Sequence, residues 1–429
     1  MMVKPSKQWR SAPDIPVDHV VILNDYGWIN GGQSKIAIDS ALDLKAQGIE
    51  VCFIAGTGPV DDRLASAGIN IRIVGEHDIL SDPNRLRAAT SGLWNRAAAR
   101  VVGECIAERD PCTTVVHVHG WAKALSPSIG PVVTGAMAAH VYTLHEYFLA
   151  CPTGSFYDHR ANAICHRRAL GADCLTTRCD PRGSHHKAWR VARQAVLRTA
   201  GRMPSGLREL IYLAPEQREI LGSYMPTEAR WHYLPNPVGP RPAQRIEAER
   251  NDTFLFVGRL SPEKGGIVAA RAAREAGVRI AFAGDGEERE GIVRANPQAH
   301  MLGWISPDEV AAEMRRARAL LFPSLWYESY GLAVADAIRA GLPVLVSESS
   351  VAASLVDNAR AGEHLAAGDA QLWGNAMRRM RSDDLVRRYS EHAFMRGRDF
   401  SDQQACTAKL IDIYGLALAR RYDKAGLLA

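Results

Sequence analysis

The sequence offers little to a membrane, a fibre or a nucleic acid. Nowhere do about 18 apolar residues run together, which argues against a spanning helix. The opening stretch MMVKPSKQWRSAPD lacks the apolar core of a signal peptide. Gly and Pro supply 58 of the 429 residues, too few and too scattered for a fibrous or low-complexity chain. Lys and Arg exceed Asp and Glu by only five, too small an excess for a dedicated nucleic-acid binder. Paired C-x2-C knuckles are missing, and no D-x-D follows a strand. The expectation is a cytoplasmic protein, with any membrane contact peripheral and at the inner face.

What remains is an ordinary globular composition, 47% apolar and 23% charged, over a length that suits two or three domains at roughly 150 residues each. Short β-rich runs alternate with helical patterns, as in parallel α/β architecture. The first series is 19–24, 50–56, 69–75, 114–120 and 140–146, with helices expected at Gln33–Gln47 and Pro83–Arg109. A run at 230–236 closes the first half, and a Pro-rich, then charged stretch over 235–252 reads as a linker. A second series follows at 253–260, 278–286, 300–305, 318–324 and 342–347, and from Asp369 the pattern is helical to the end. The fold class is therefore α/β, with two doubly wound, Rossmann-like domains and a cleft between them, where strand carboxyl ends present ligand sites. The expected divisions are 1–240, 241–400 and a helical tail, 401–429.

Two segments of the second half point to an anion site. FLFVGRLSPEKGG sets Gly258 and Arg259 after a buried strand, with Lys264 opening the next helix. A strand end followed by a helix N-terminus suits a phosphate, and the two cations add fixed charge. PSLWYESYGLAVADAIRAGLPVLVS carries Glu328 in a loop, then a helix from about Leu332 that Gly341 stops. The N–H groups around Tyr330, Gly331 and Leu332 suit a diphosphate. Glu328 suits sugar hydroxyls, and Asp336, eight residues on, suits a ribose.

GRLSPEKG, the AGDG turn at Ala283–Gly286 and PS-x3-E-x2-GL-x3-D-A-x3-G-x-PV together resemble the retaining glycosyltransferases of family 4, which have the GT-B fold. The resemblance implies transfer from a nucleotide-diphosphate sugar to a glycan or lipid-linked acceptor, of the polysaccharide-assembly type. It implies that Arg259 and Lys264 hold the donor diphosphate and Glu328 the donor sugar. The family's usual Glu-x7-Glu stands here as Glu328-x7-Asp336, one methylene shorter at the ribose position.

In the first half, Gly31 and Gly32 lie between the first strand and first helix, where the family's Gly-Gly loop faces the donor phosphates. His117 and His119 alternate on one strand, so both face one side. The resemblance gives His119 a contact to the donor sugar. His145 and Glu146, at the next strand end, are expected to line the acceptor side. Cys151, Cys165, Cys174 and Cys179 concentrate half of the cysteines in an irregular stretch, 147–186, like an insertion seen in a subset of the family. Four thiolates fit a structural zinc ion, with no role in the chemistry. From Arg167 to Arg202 nine Lys or Arg face two Asp, a candidate contact for a lipid diphosphate or an anionic membrane.

Rival readings are a GT-B phosphorylase, an epimerase and a non-catalytic nucleotide-sugar-binding or assembly subunit. A phosphorylase requires a late pyridoxal-bearing lysine, yet no lysine lies between Lys264 and Lys409. The complete set of Arg259, Lys264 and Glu328 speaks for catalysis. No metal cofactor is expected in the reaction, because fixed cations take that part.

Overall fold

The computed structural model describes residues 16–425; the opening stretch read above lies outside them. Seven parallel strands form the first sheet. They are β1 (His19–Gly27), β2 (Glu50–Val60), β3 (Asn70–Gly75), β4 (Thr114–Val118), β5 (Ala139–Thr143), β8 (Glu209–Tyr212) and β9 (Arg230–Tyr233). A short antiparallel ribbon, β6 (Tyr157–Asp158) against β7 (Ala163–Ile164), stands apart. Six parallel strands form the second sheet: β10 (Thr253–Val257), β11 (Arg279–Ala283), β12 (His300–Gly303), β13 (Ala317–Phe322), β14 (Val344–Ser347) and β15 (Gly362–Leu365).

The strand orders are β3-β2-β1-β4-β5-β8-β9 and β12-β11-β10-β13-β14-β15. In each sheet the chain winds to one side of the first strand and then restarts on the other. The order thus reverses between β1 and β4, and between β10 and β13. Crevices open at the carboxyl ends of those strands. The central strands read as continuous apolar runs because both faces are covered. Val20, Val21, Ile22 and Leu23 are fully buried, as are Ala319, Leu320 and Leu321.

The helix Gln403–Ala425 returns to the first sheet. Its Leu410, Ile413, Tyr414 and Leu418 pack in one core with Val20, Ile22, Val115 and Val141. Burying a side chain of this size contributes about 1.5–3 kcal/mol. The same core includes Tyr330 and Ala335 from the second half. Among the described residues, no helix is long and apolar enough to cross a membrane.

Four local expectations differ from the structure. The stretch 83–109 is two helices, Arg85–Leu93 and Arg96–Ala107, because Trp94 turns extended and Asn95 caps the second through Ala98 N–H, 3.1 Å. Strands β8 and β15 are additional; each is four residues, too short to show a period. Finally, the charged end of 235–252 is no free linker. Ile246 and Ala248 are buried in the second core, and Arg245 pairs with Glu249 at 2.8 Å.

Candidate active site

The loops after β10 and β13 meet at the second crevice. Lys264 ends a 3-10 turn (Pro262–Lys264), and its ammonium donates to Oε1 of Glu328 at 2.6 Å. The same oxygen accepts from Ser324 Oγ at 2.7 Å and from Trp326 Nε1 at 3.0 Å. All three bonds end on Oε1, so Oε2 has no protein partner among the described residues. Glu328 is buried. Burial alone pushes its carboxyl upward, but the Lys264 charge and these bonds more than offset it and hold it ionised. The site thus contains a carboxylate fixed through one oxygen, with the other available to a hydroxyl.

Arg259 stands beside it with 66% of its side chain exposed, held only by Glu263 Oε1 at 3.2 Å. Glu263 is buried and also accepts from Ser261 Oγ, 2.7 Å. Most of the Arg259 fork is therefore free to meet an anion. Gly258 leads into this loop and bonds through its N–H to Ala283 C=O, 3.0 Å. The AGDG turn packs directly on it: a Cβ on Gly284 would lie 1.9 Å from Gly258 O, so no larger residue fits.

The helix Leu332–Ala340 begins at Gly331, which is left-handed at φ 92°. Its first turn carries N–H groups without an intrahelical partner, as every helix start does, while the Tyr330 side chain is buried in the core shared by both halves. Asp336 lies on this helix, but its Oδ1 accepts from Gly239 N–H at 3.2 Å. One oxygen of the expected ribose ligand is thus committed to the chain between the sheets, and burial raises its pKa.

Across the cleft, Gly31 and Gly32 begin the helix Gly32–Ala46 and are exposed. A Cβ on Gly32 would stand 3.0 Å from Leu332 Cδ1, so the two helix starts touch. The β5 loop also reaches over: Tyr147 O–H donates to Glu328 C=O at 3.2 Å.

His119 follows β4 and is buried. Its Nδ1 shares a hydrogen bond of 2.9 Å with His145 Nε2, and its own Nε2 is buried without a partner. His145 is itself buried, with its ring stacked beside that of His119. His117 stacks near His119, ring centroids 4.0 Å apart, and bonds to Tyr414 O–H and Thr143 Oγ1, both at 2.7 Å. Burial pushes His117 and His145 down to about 3, so both are neutral. Glu146 is half-buried, with its pKa raised by burial and opposed by the nearby Lys123 ammonium.

The four cysteines are not gathered as metal ligands. Cys151, Cys174 and Cys179 are buried, but the ammonium of Lys187 lies against two of them, 3.1 Å from Cys179 Sγ and 3.5 Å from Cys174 Sγ. Cys165 faces Arg167 instead, at 3.5 Å. Among the described residues, no group of three or more His, Cys, Asp or Glu is arranged to hold a metal ion.

Sequence reasoning missed several supporting residues. Ser324 and Trp326 flank Glu328 in the loop that carries the motif, close enough in sequence to have been considered. Asp25, at the end of β1, accepts N–H bonds from Lys123, Ala124 and Leu125 at 2.8–3.1 Å and fixes the loop after β4. An acidic residue at a buried strand end was its one signal. Tyr414 lies 297 residues from its partner and left none.

Residues 241–395 match the family model of the glycosyl transferases group 1. That group 1 segment contains Arg259, Lys264, Glu328 and Asp336. Among curated relatives, a glycogen synthase of Mycobacterium tuberculosis is 28% identical over 166 residues, 36% of this chain, and the chain spans 38% of its length. The D-inositol 3-phosphate glycosyltransferase of Corynebacterium kroppenstedtii is 21% identical over 82% of this chain and 78% of its own. The fold is GT-B. Anabaena Alr3699/HepE, solved in complex with UDP-glucose, superposes with a TM-score of 0.64 at 16% identity, over 95% of this chain and 99% of its own. WaaG, a glycosyltransferase involved in lipopolysaccharide biosynthesis, gives 0.62 at 18%, over 92% and 99%.

Proposed function

We propose that the protein is a retaining glycosyltransferase that moves a sugar from a nucleotide-diphosphate sugar to a glycan or lipid-linked acceptor, in surface-polysaccharide biosynthesis. The observation that carries this reading is the Lys264–Glu328 pair beside the exposed Arg259. The group 1 match supports it, as does the likeness to one neighbour solved with UDP-glucose and to another involved in lipopolysaccharide biosynthesis.

In this reading Arg259, Lys264 and the N-termini of helices Leu332–Ala340 and Gly32–Ala46 hold the diphosphate. These groups are preorganised where negative charge grows as the leaving group departs, and one such donor is worth about 3–4 kcal/mol. Glu328 Oε2 takes a sugar hydroxyl, and His119 Nε2 takes another. The acceptor hydroxyl attacks the anomeric carbon on the face that the diphosphate leaves, and its proton passes to a departing phosphate oxygen. Glu146 and Lys123 line the acceptor side. Asp336 has one oxygen left for the ribose.

The test is a transfer assay with a panel of nucleotide sugars, followed by NMR of the product's anomeric proton. The expected product keeps the donor's anomeric configuration, and transfer persists in a chelator. An inverted product, or activity lost in chelator and restored by Mn²⁺, contradicts the reading.

A further inference from the structure

The His119–His145 contact bears on which nitrogen of the buried His119 ring carries its proton. Burial holds both rings neutral, so a single proton lies between Nδ1 of His119 and Nε2 of His145. A neutral imidazole carries one N–H, and the bond made by one nitrogen decides what the other offers. The two rings are joined head to tail, Nδ1 to Nε2. That order lets both take the Nε2–H form, which is the intrinsically favoured tautomer of histidine. His119 Nε2 is then the end of the chain, buried and without a protein partner. His117, clamped by Tyr414 and Thr143, packs on His119 and keeps its ring from turning.

We propose that His145 is a positioning residue: its Nε2–H donates to His119 Nδ1 and thereby fixes His119 as a hydrogen-bond donor, through Nε2–H, toward a hydroxyl of the donor sugar. This rests on the function proposed above for the ligand, but not for the proton. A sugar hydroxyl whose oxygen accepts from His119 keeps its own proton for a second partner, such as a carboxylate. An epimer with that hydroxyl displaced would leave the buried N–H unpaired, so the pair also acts in donor selection.

The test reads the proton and the reaction separately. Long-range ¹H–¹⁵N correlation on protein labelled at histidine reports which nitrogen of His119 is protonated, with no sugar present. The expected result is Nε2–H in the wild type and in His145→Gln, whose side-chain amide can donate from the position of Nε2. In His145→Leu, His119 should populate both tautomers. For transfer, kcat/KM for the donor should fall about tenfold in His145→Leu and recover to within about threefold in His145→Gln. A wild-type His119 protonated at Nδ1 would overturn the inference, as would a tautomer and a kcat/KM untouched by the leucine. Should the leucine variant fail to fold, His145→Asn, whose shorter amide falls short of His119 Nδ1, carries the same expectation and the same contradiction. A wild type with the stated tautomer but no transfer would count against the proposed function and leave the positioning role standing.

Discussion

At the scale of single residues, the candidate site rests on two cations and one carboxylate. Arg259 is barely held by Glu263, and Lys264 is tied to Glu328 at 2.6 Å. Both are asked to stabilise a leaving group, so Arg259→Ala and Lys264→Ala should each lower kcat on the order of 10²-fold. Arg259→Ala should leave the thermal midpoint nearly unchanged, whereas Lys264→Ala, which strips buried Glu328 of its counter-charge, should lower it as well. Steady-state kinetics checks this, and near-normal kcat in both variants would remove them from the site. These residues were legible in the sequence because short motifs at strand ends put them there. His145 was legible as a strand-end histidine but not as the partner of His119. That pairing needs β4 and β5 to be neighbours in the sheet, which no local spacing encodes. Thiol spacing says nothing of the lysine that helix Ser184–Arg198 brings against the sulfurs.

At the scale of elements, the strands beneath the last helix bury several histidines in their neutral form. His117 and His145 are lowered to about 3 and His140 to about 4, chiefly by burial. The unfolded chain binds protons at these residues from about pH 6.5 downward and the folded chain does not, so stability falls as pH falls through that window. Glu146, whose pKa is raised, works in the opposite direction but is outnumbered. Between pH 6.5 and 5 the unfolding free energy should drop by about 2–4 kcal/mol. Urea titrations at the two pH values test this, and His117→Gln should flatten the slope. Stability that is level or rising toward pH 5 would contradict the burial of neutral rings. The same strands show how far sequence periodicity reaches. Long apolar runs such as β1 and β13 were plain, whereas β8 and β15, four residues each, depend on neighbours already in place.

For the whole molecule, the cleft is completed by contacts between its two halves. A Cβ on Gly32 would lie 3.0 Å from Leu332 Cδ1, so a branched side chain there must push that leucine aside, and Tyr147 reaches Glu328. Gly32→Val should hold the halves apart and lower turnover roughly 10-fold to 10²-fold, since small misplacements of reacting groups are costly. Leu332→Ala in the same chain should recover part of that loss, a coupling that a double-mutant cycle measures. Additive losses would show that the contact does not govern closure.

The central claim is that the crevice formed by Arg259, Lys264, Glu328 and the Leu332 helix start binds a nucleotide-diphosphate sugar. Isothermal titration of the wild type and of Arg259→Ala with a panel of nucleoside diphosphates and their sugars tests it most directly. The account predicts binding of at least one member by the wild type, weakened at least about tenfold in Arg259→Ala. Binding of none of them, or equal binding by both proteins, would contradict it.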